Sequence, residues 1–162
     1  MADINKEQAI IDFLLTCDSI KDSPLYFNFT NAQDQNKQIL TLANDKRTNQ
    51  IFVDGSVRKR YTFTIIDFRS ITYNALVTQS GYANENVVEY LDVQSIIDWI
   101  TEQNELHVFP NFGTNCIIEE MRALTDNPNL NGIDTNVKPA LAKYSVSIQI
   151  DYIDFSTTLW NN

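Results

Sequence analysis

The amino-acid sequence predicts an α+β fold: a largely antiparallel β-sheet with two α-helices packed on one face, and long hairpin loops. Two segments carry apolar residues at helical spacing. Ile10, Phe13, Leu14 and Cys17 form one i, i+3, i+4, i+7 stripe, and Val93, Ile96, Ile97 and Ile100 form another. Elsewhere the apolar residues alternate with polar ones, most cleanly where Tyr144, Val146, Ile148, Ile150 and Tyr152 interleave with Ser145, Ser147, Gln149 and Asp151. The chain has 162 residues, 43% apolar and 20% charged. A folded chain of that size buries roughly 70% of its extended surface, enough for one core. One domain over residues 1–162 is therefore expected.

The first helix starts at Asn5, whose side chain suits an N-cap, with Glu7 favourably placed in the first turn. It is expected to run to Asp22-Ser23-Pro24. Leu25, Phe27 and Phe29 alternate with polar neighbours as a short extended piece. Gln38 to Ala43 and Gln50 to Val53 are short strand candidates, joined by the turn-rich segment Asn44 to Asn49. Asp54-Gly55 tolerates positive φ and marks a sharp reversal. Arg60 to Ile71 is a long strand with both faces largely apolar or β-branched, as expected well inside a sheet. After a polar connection, Thr72 to Asn86, comes the second helix, with Asp92 a candidate N-cap and a start as early as Val87. Cys116 to Leu124 alternates, with Cys116, Ile118, Glu120 and Arg122 on one face, which separates Glu119 from Glu120. Thr125 to Pro139 is expected to be a loop. The last strand should have one packed face and one wet face.

Composition excludes several classes. Gly and Pro number only 4 each, against glycine-rich phosphate loops, and no dinucleotide or Walker pattern occurs. No apolar run approaches the ~20 residues of a membrane span, and the N-terminus lacks a cationic region followed by an apolar one. Cys17 and Cys116 are far apart, and two cysteines with one histidine are a poor zinc set. A reducing interior, with both cysteines as small buried hydrophobes, is the default. No cofactor is called for.

The net charge is −9 and unevenly spread. Residues 1–36 are net −4, residues 37–69 net +4, and residues 70–162 net −9. The basic part centres on Arg58, Lys59 and Arg60, with Lys46 and Arg47, around the Asp54-Gly55 hairpin. Clustered cations reward phosphate contacts, but an acidic protein repels DNA at long range. A solvated turn is one alternative. Another is a head-to-tail contact in which the basic hairpin meets an acidic face of the next copy. His107 has no nucleophile and base arranged around it in sequence, so a structural or surface role is expected. The run Asn127-x-Asn129-x-Asn131-Gly132 imitates a calcium loop, but its twelfth position is Lys138 where a glutamate is required.

Three pieces of the chain, in this order and spacing, are also familiar. Phe52-Val53-Asp54-Gly55 precedes the basic–aromatic strand Arg58-Lys59-Arg60-Tyr61-Thr62-Phe63. Trp99-Ile100-Thr101-Glu102-Gln103-Asn104 ends a helix ahead of Phe109-Pro110. A terminal alternating strand runs from Lys143-Tyr144 to Ile150. Over nearly its whole length the chain resembles the tail terminator proteins of long-tailed bacteriophages, also described as minor capsid or tail completion proteins. The resemblance implies a non-enzymatic virion protein at the head–tail junction, assembled in the bacterial host cytoplasm. It implies a homo-hexameric ring that caps the tail tube protein ring, ends tube polymerisation and meets a head–tail connector protein. Genomic DNA would pass through the lumen without specific binding. Arg58, Lys59, Arg60, Lys46, Arg47, Asp54 and Gly55 would then lie at a contact with the neighbouring subunit or the tube. The alternatives are a head completion or stopper protein, a nucleic-acid-binding module using the basic patch, and a small acyltransferase using His107.

Overall fold

The computed structural model describes residues 5–28, 37–41, 46–72 and 84–156. The fold is α+β: helices pack on one face of a curled sheet whose strands are mostly antiparallel. Two 15-residue strands, β4 (Val57–Ile71) and β7 (Ala140–Asp154), form its spine. They pair antiparallel along their whole length, from Val57↔Asp154 to Ile71↔Ala140. Each spine strand carries two shorter strands on its outer side. β2 (Lys37–Thr41) and β3 (Lys46–Ile51) flank β4, and β5 (Cys116–Ala123) and β6 (Asn129–Asp134) flank β7. β1 (Leu25–Phe27) adds the one parallel pairing described, to β2.

On the helix side, α1 (Lys6–Leu14), the short α2 (Asp18–Lys21) and α3 (Glu85–Glu105) share one core with the sheet. Both apolar stripes read from the sequence are buried there. They meet Tyr61, Phe63 and Ile65 of β4 and Tyr144, Val146, Ile148, Ile150 and Tyr152 of β7. No helix among the described residues is long and apolar enough to cross a membrane.

Five expectations need correction. The first helix breaks at Leu15–Cys17: Thr16 donates its hydroxyl to the Phe13 carbonyl (2.6 Å), and Cys17 takes an extended backbone that starts α2. α3 begins at Glu85 rather than near Asp92, because the Asn84 side chain accepts from the Asn86 and Val87 N–H groups. Its first turns carry Val87, Val88 and Leu91 outward, so the amphipathic stripe starts only at Val93.

The segment read as a turn from Asn44 to Asn49 contributes β3 from Lys46 onward, paired to β4. The segment read as a loop from Thr125 to Pro139 contains β6, with a register shift at Leu130/Gly132 and Gly132 at φ 148°. Lastly, β7 does not have a wholly wet second face: Leu141, Ser145 and Gln149 are buried there, as are Ile66 and Phe68 on β4. The expected extended residues Phe29 and Thr30, the strand end at Leu42 and Ala43, and most of the Thr72 to Asn86 connection lie outside the described residues.

Candidate functional site: the basic hairpin and its carboxylates

The β3–β4 hairpin is closed by a tightly bonded turn. Phe52 N–H donates to the Ser56 carbonyl (2.9 Å) and Gly55 N–H to the Phe52 carbonyl (3.0 Å). Asp54 accepts from the Ser56 backbone N–H (3.0 Å) and its hydroxyl (2.6 Å). These hydrogen bonds, the hydroxyl one foremost, hold the Asp54 carboxyl below its ordinary pKa. Gly55 takes φ 87°, as the Asp-Gly pair predicts. Val53 projects from this turn at 101% relative exposure.

Below the tip, alternation splits the three consecutive cations. Lys59 shares the helix-side face with Tyr61, and Arg58 and Arg60 lie on the other. Each meets a carboxylate of its own sheet. Arg60 grips Asp151 directly across on β7 with two bonds (2.8 and 3.2 Å). Arg58 reaches over β7 to Glu119 on β5 with two more (2.7 and 2.8 Å), donates to Gln50 on β3 (2.5 Å), and lies 5.9 Å from the Phe52 ring centre. Lys59 donates to Asp154 (2.7 Å). Register places Lys46 opposite Arg60 and Arg47 opposite Lys59. Like charges so placed repel, and the β5 and β7 carboxylates offset this. The basic middle of the sequence thus finds much of its counter-charge inside the chain.

Glu119 reaches Arg58 because of a feature alternation could not reveal. The β5–β7 register shifts between Ile118 and Glu120. Cys116 and Ile118 pack on the core before the bulge, and Met121 and Ala123 after it. Glu119 and Glu120 are both exposed, contrary to the expected separation. The outer edge of β5 is also covered: the Asn104 side chain of α3 accepts the Met121 N–H (2.8 Å).

The Lys59–Asp154 pair gives a pH prediction. Burial pushes the Asp154 pKa up, but hydrogen bonds from Lys59 and Ser156 and the Lys59 charge outweigh it and hold it below the ordinary value. A carboxyl depressed by folding stabilises fully above its unfolded pKa of about 3.9, and that contribution disappears as pH falls through the folded pKa. Thermal melts should show Asp154→Asn less stable than the parent at neutral pH. The gap should close below about pH 4; a gap independent of pH would exclude this role.

A second charged group was missed by sequence reasoning. Asp67 and Arg69 stand on the core face of β4 between Ile65 and Ile71, with Asp67 only 2% exposed. Arg69 binds both Asp67 oxygens (2.9 Å each), then Glu89 (3.2 Å) and Asp92 of α3. Burial disfavours the guanidinium charge, yet the Asp67 hydrogen bonds and the three carboxylates keep its pKa above the ordinary value. Asp92, expected as a helix cap, instead ties α3 to the sheet. The signal was two charges at i, i+2 on an apolar strand face.

His107 is exposed and ends α3 in the left-handed conformation (φ 55°). Its N–H donates to the Asn104 carbonyl (3.2 Å) and that of Val108 to Gln103 (2.9 Å), the bond pattern of a helix stop. Cys17 is buried and Cys116 half-buried; both are free thiols.

No family model matches the chain, and no curated protein matches it.

Proposed function

We propose that this protein is a ring-forming structural component of a phage virion, a tail terminator that caps the tail tube and joins it to the head. The observation that carries the reading is the hairpin tip: a turn fixed by its own hydrogen bonds that presents Val53 uncovered. A rigid apolar knob binds a partner at low ordering cost. It sits in the Phe-Val-Asp-Gly segment on which the family resemblance rests, and the order of long strands and helices suits that family. A contact between unlike patches closes into a ring when its rotation closes. A helical layer rich in carboxylates gives DNA little to adhere to.

Electron microscopy of virions lacking the protein tests the reading. Overlong, headless tails support it; normal tails beside leaking heads indicate a stopper instead. Reversing Arg58, Lys59 and Arg60 to glutamate should reduce capping of purified tubes. Since Arg58 is bonded to Glu119, Arg58→Glu/Glu119→Arg separates two roles. Restored capping would mean that the cation only holds the hairpin; continued loss would mean that it meets the partner.

A further inference from the structure

The hairpin tip and a groove in the helix layer are complementary in shape and charge. The groove, of about 500 Å³, lies between the outer side of α1 and the segment after α3, and is lined by Asn5, Gln8, Asp12, Phe13, Phe109 and Pro110 among others. Its floor is apolar: Pro110 is buried, and Phe13 stacks on Trp99 with ring centres 4.9 Å apart. Its rim is polar.

The wall beside it is acidic. α3 holds six acidic residues and no basic one. Asp98, Glu102 and Glu105 are all exposed and follow one another at i, i+4 and i+7. Such like-charge neighbours repel, and acids in a helix's last turn oppose its dipole. The turn bearing Asp98 and Glu102 also bears Trp99, which meets Phe13 at the groove floor. The hairpin, residues 46–60, holds five basic residues and one acidic. Val53 is fully exposed, so the tip does not fill the groove of its own chain.

We infer that the β3–β4 tip of one copy docks head-to-tail in the α1 groove of a second copy, with Val53 against Phe13, Phe109 and Pro110 and the basic hairpin facing the acidic stripe of α3. Knob and groove are different patches, so the contact is heterologous and each copy can use both. The charges steer encounter and fix register, and association should weaken with salt. The inference rests on the proposed ring in requiring self-assembly.

The test uses two variants at exposed positions, Val53→Asp, which spoils the tip, and Gln8→Trp, which fills the groove. Circular dichroism and unfolding midpoints confirm that both fold. In analytical ultracentrifugation the parent chain should assemble, and each variant alone should associate at least about 30-fold more weakly, as for an interface hot spot. Mixed at equal concentration, they should form a heterodimer and nothing larger, since the mixture offers only one sound tip-to-groove contact. A mixture that stays monomeric, or a variant that assembles alone, overturns the tip-in-groove contact and leaves the ring standing. A parent chain that stays monomeric at every concentration overturns both.

Discussion

Arg69→Met is expected to cost about 3–5 kcal/mol of folding stability, the largest effect of any single change considered. Arg69 gives both ends of its guanidinium to Asp67, and Asp67 is 2% exposed. Without the guanidinium, a carboxylate remains inside the protein with no cation against it, beside Glu89 and Asp92. The cost comes from that uncompensated charge rather than from any large net value of the pair, because desolvation offsets much of the attraction between buried ions. Asp67→Asn together with Arg69→Met should therefore recover a substantial part of the loss. Urea unfolding midpoints of the parent, single and double variants measure this. A loss below about 1 kcal/mol for Arg69→Met would place the cluster among ordinary solvated ion pairs. The single variant should also loosen the first half of α3 selectively, seen as faster amide exchange there, since Glu89 and Asp92 are its ties to β4.

Ile148→Ala should cost about 2–5 kcal/mol. Ile148 is fully buried, faces Phe63 across the β4–β7 ladder and Ala123 on β5, and belongs to the core shared with the helices. Truncation removes apolar surface from the best-packed part of the molecule and leaves a cavity that two 15-residue strands cannot easily collapse. Its neighbour gives the contrast. Ser147 points to the opposite face, where its hydroxyl lies 2.9 Å from that of Thr64. Ser147→Ala should cost about 1 kcal/mol, a typical hydrogen-bond value. Chemical denaturation of both variants checks the assignment of strand faces, and equal losses would contradict it.

Local patterns carried much of the fold. The two helical stripes, the Asn5 cap, the Asp54-Gly55 reversal and the alternation of Tyr144 to Tyr152 are each written in a few neighbouring residues, and each is found in the structure. What was missed required a partner distant in sequence. Lys46 to Ile51 is polar and turn-rich, and becomes a strand only because β4 offers it a ladder. Asn129 to Asp134 owes its strand state to β7. The β5 bulge overrides strict alternation because Cys116, Ile118, Met121 and Ala123 must all reach one core.

For the candidate site, the sequence by itself located the basic stretch and the turn that presents it, because charge density and Asp-Gly chemistry are local. It also determined the α+β class, since hydrophobic periodicity reflects which faces must leave water. Only the tertiary structure decided where the charges go. Glu119, Asp151 and Asp154 are 61, 91 and 95 residues from Arg58, Arg60 and Lys59, and no local rule pairs groups so far apart. Strand register brings them within hydrogen-bond reach, and the same register leaves Val53 uncovered at the tip. Electrostatic attraction acts over a few ångströms in space without regard to chain separation, so a charge map drawn along the sequence becomes a binding surface only after folding.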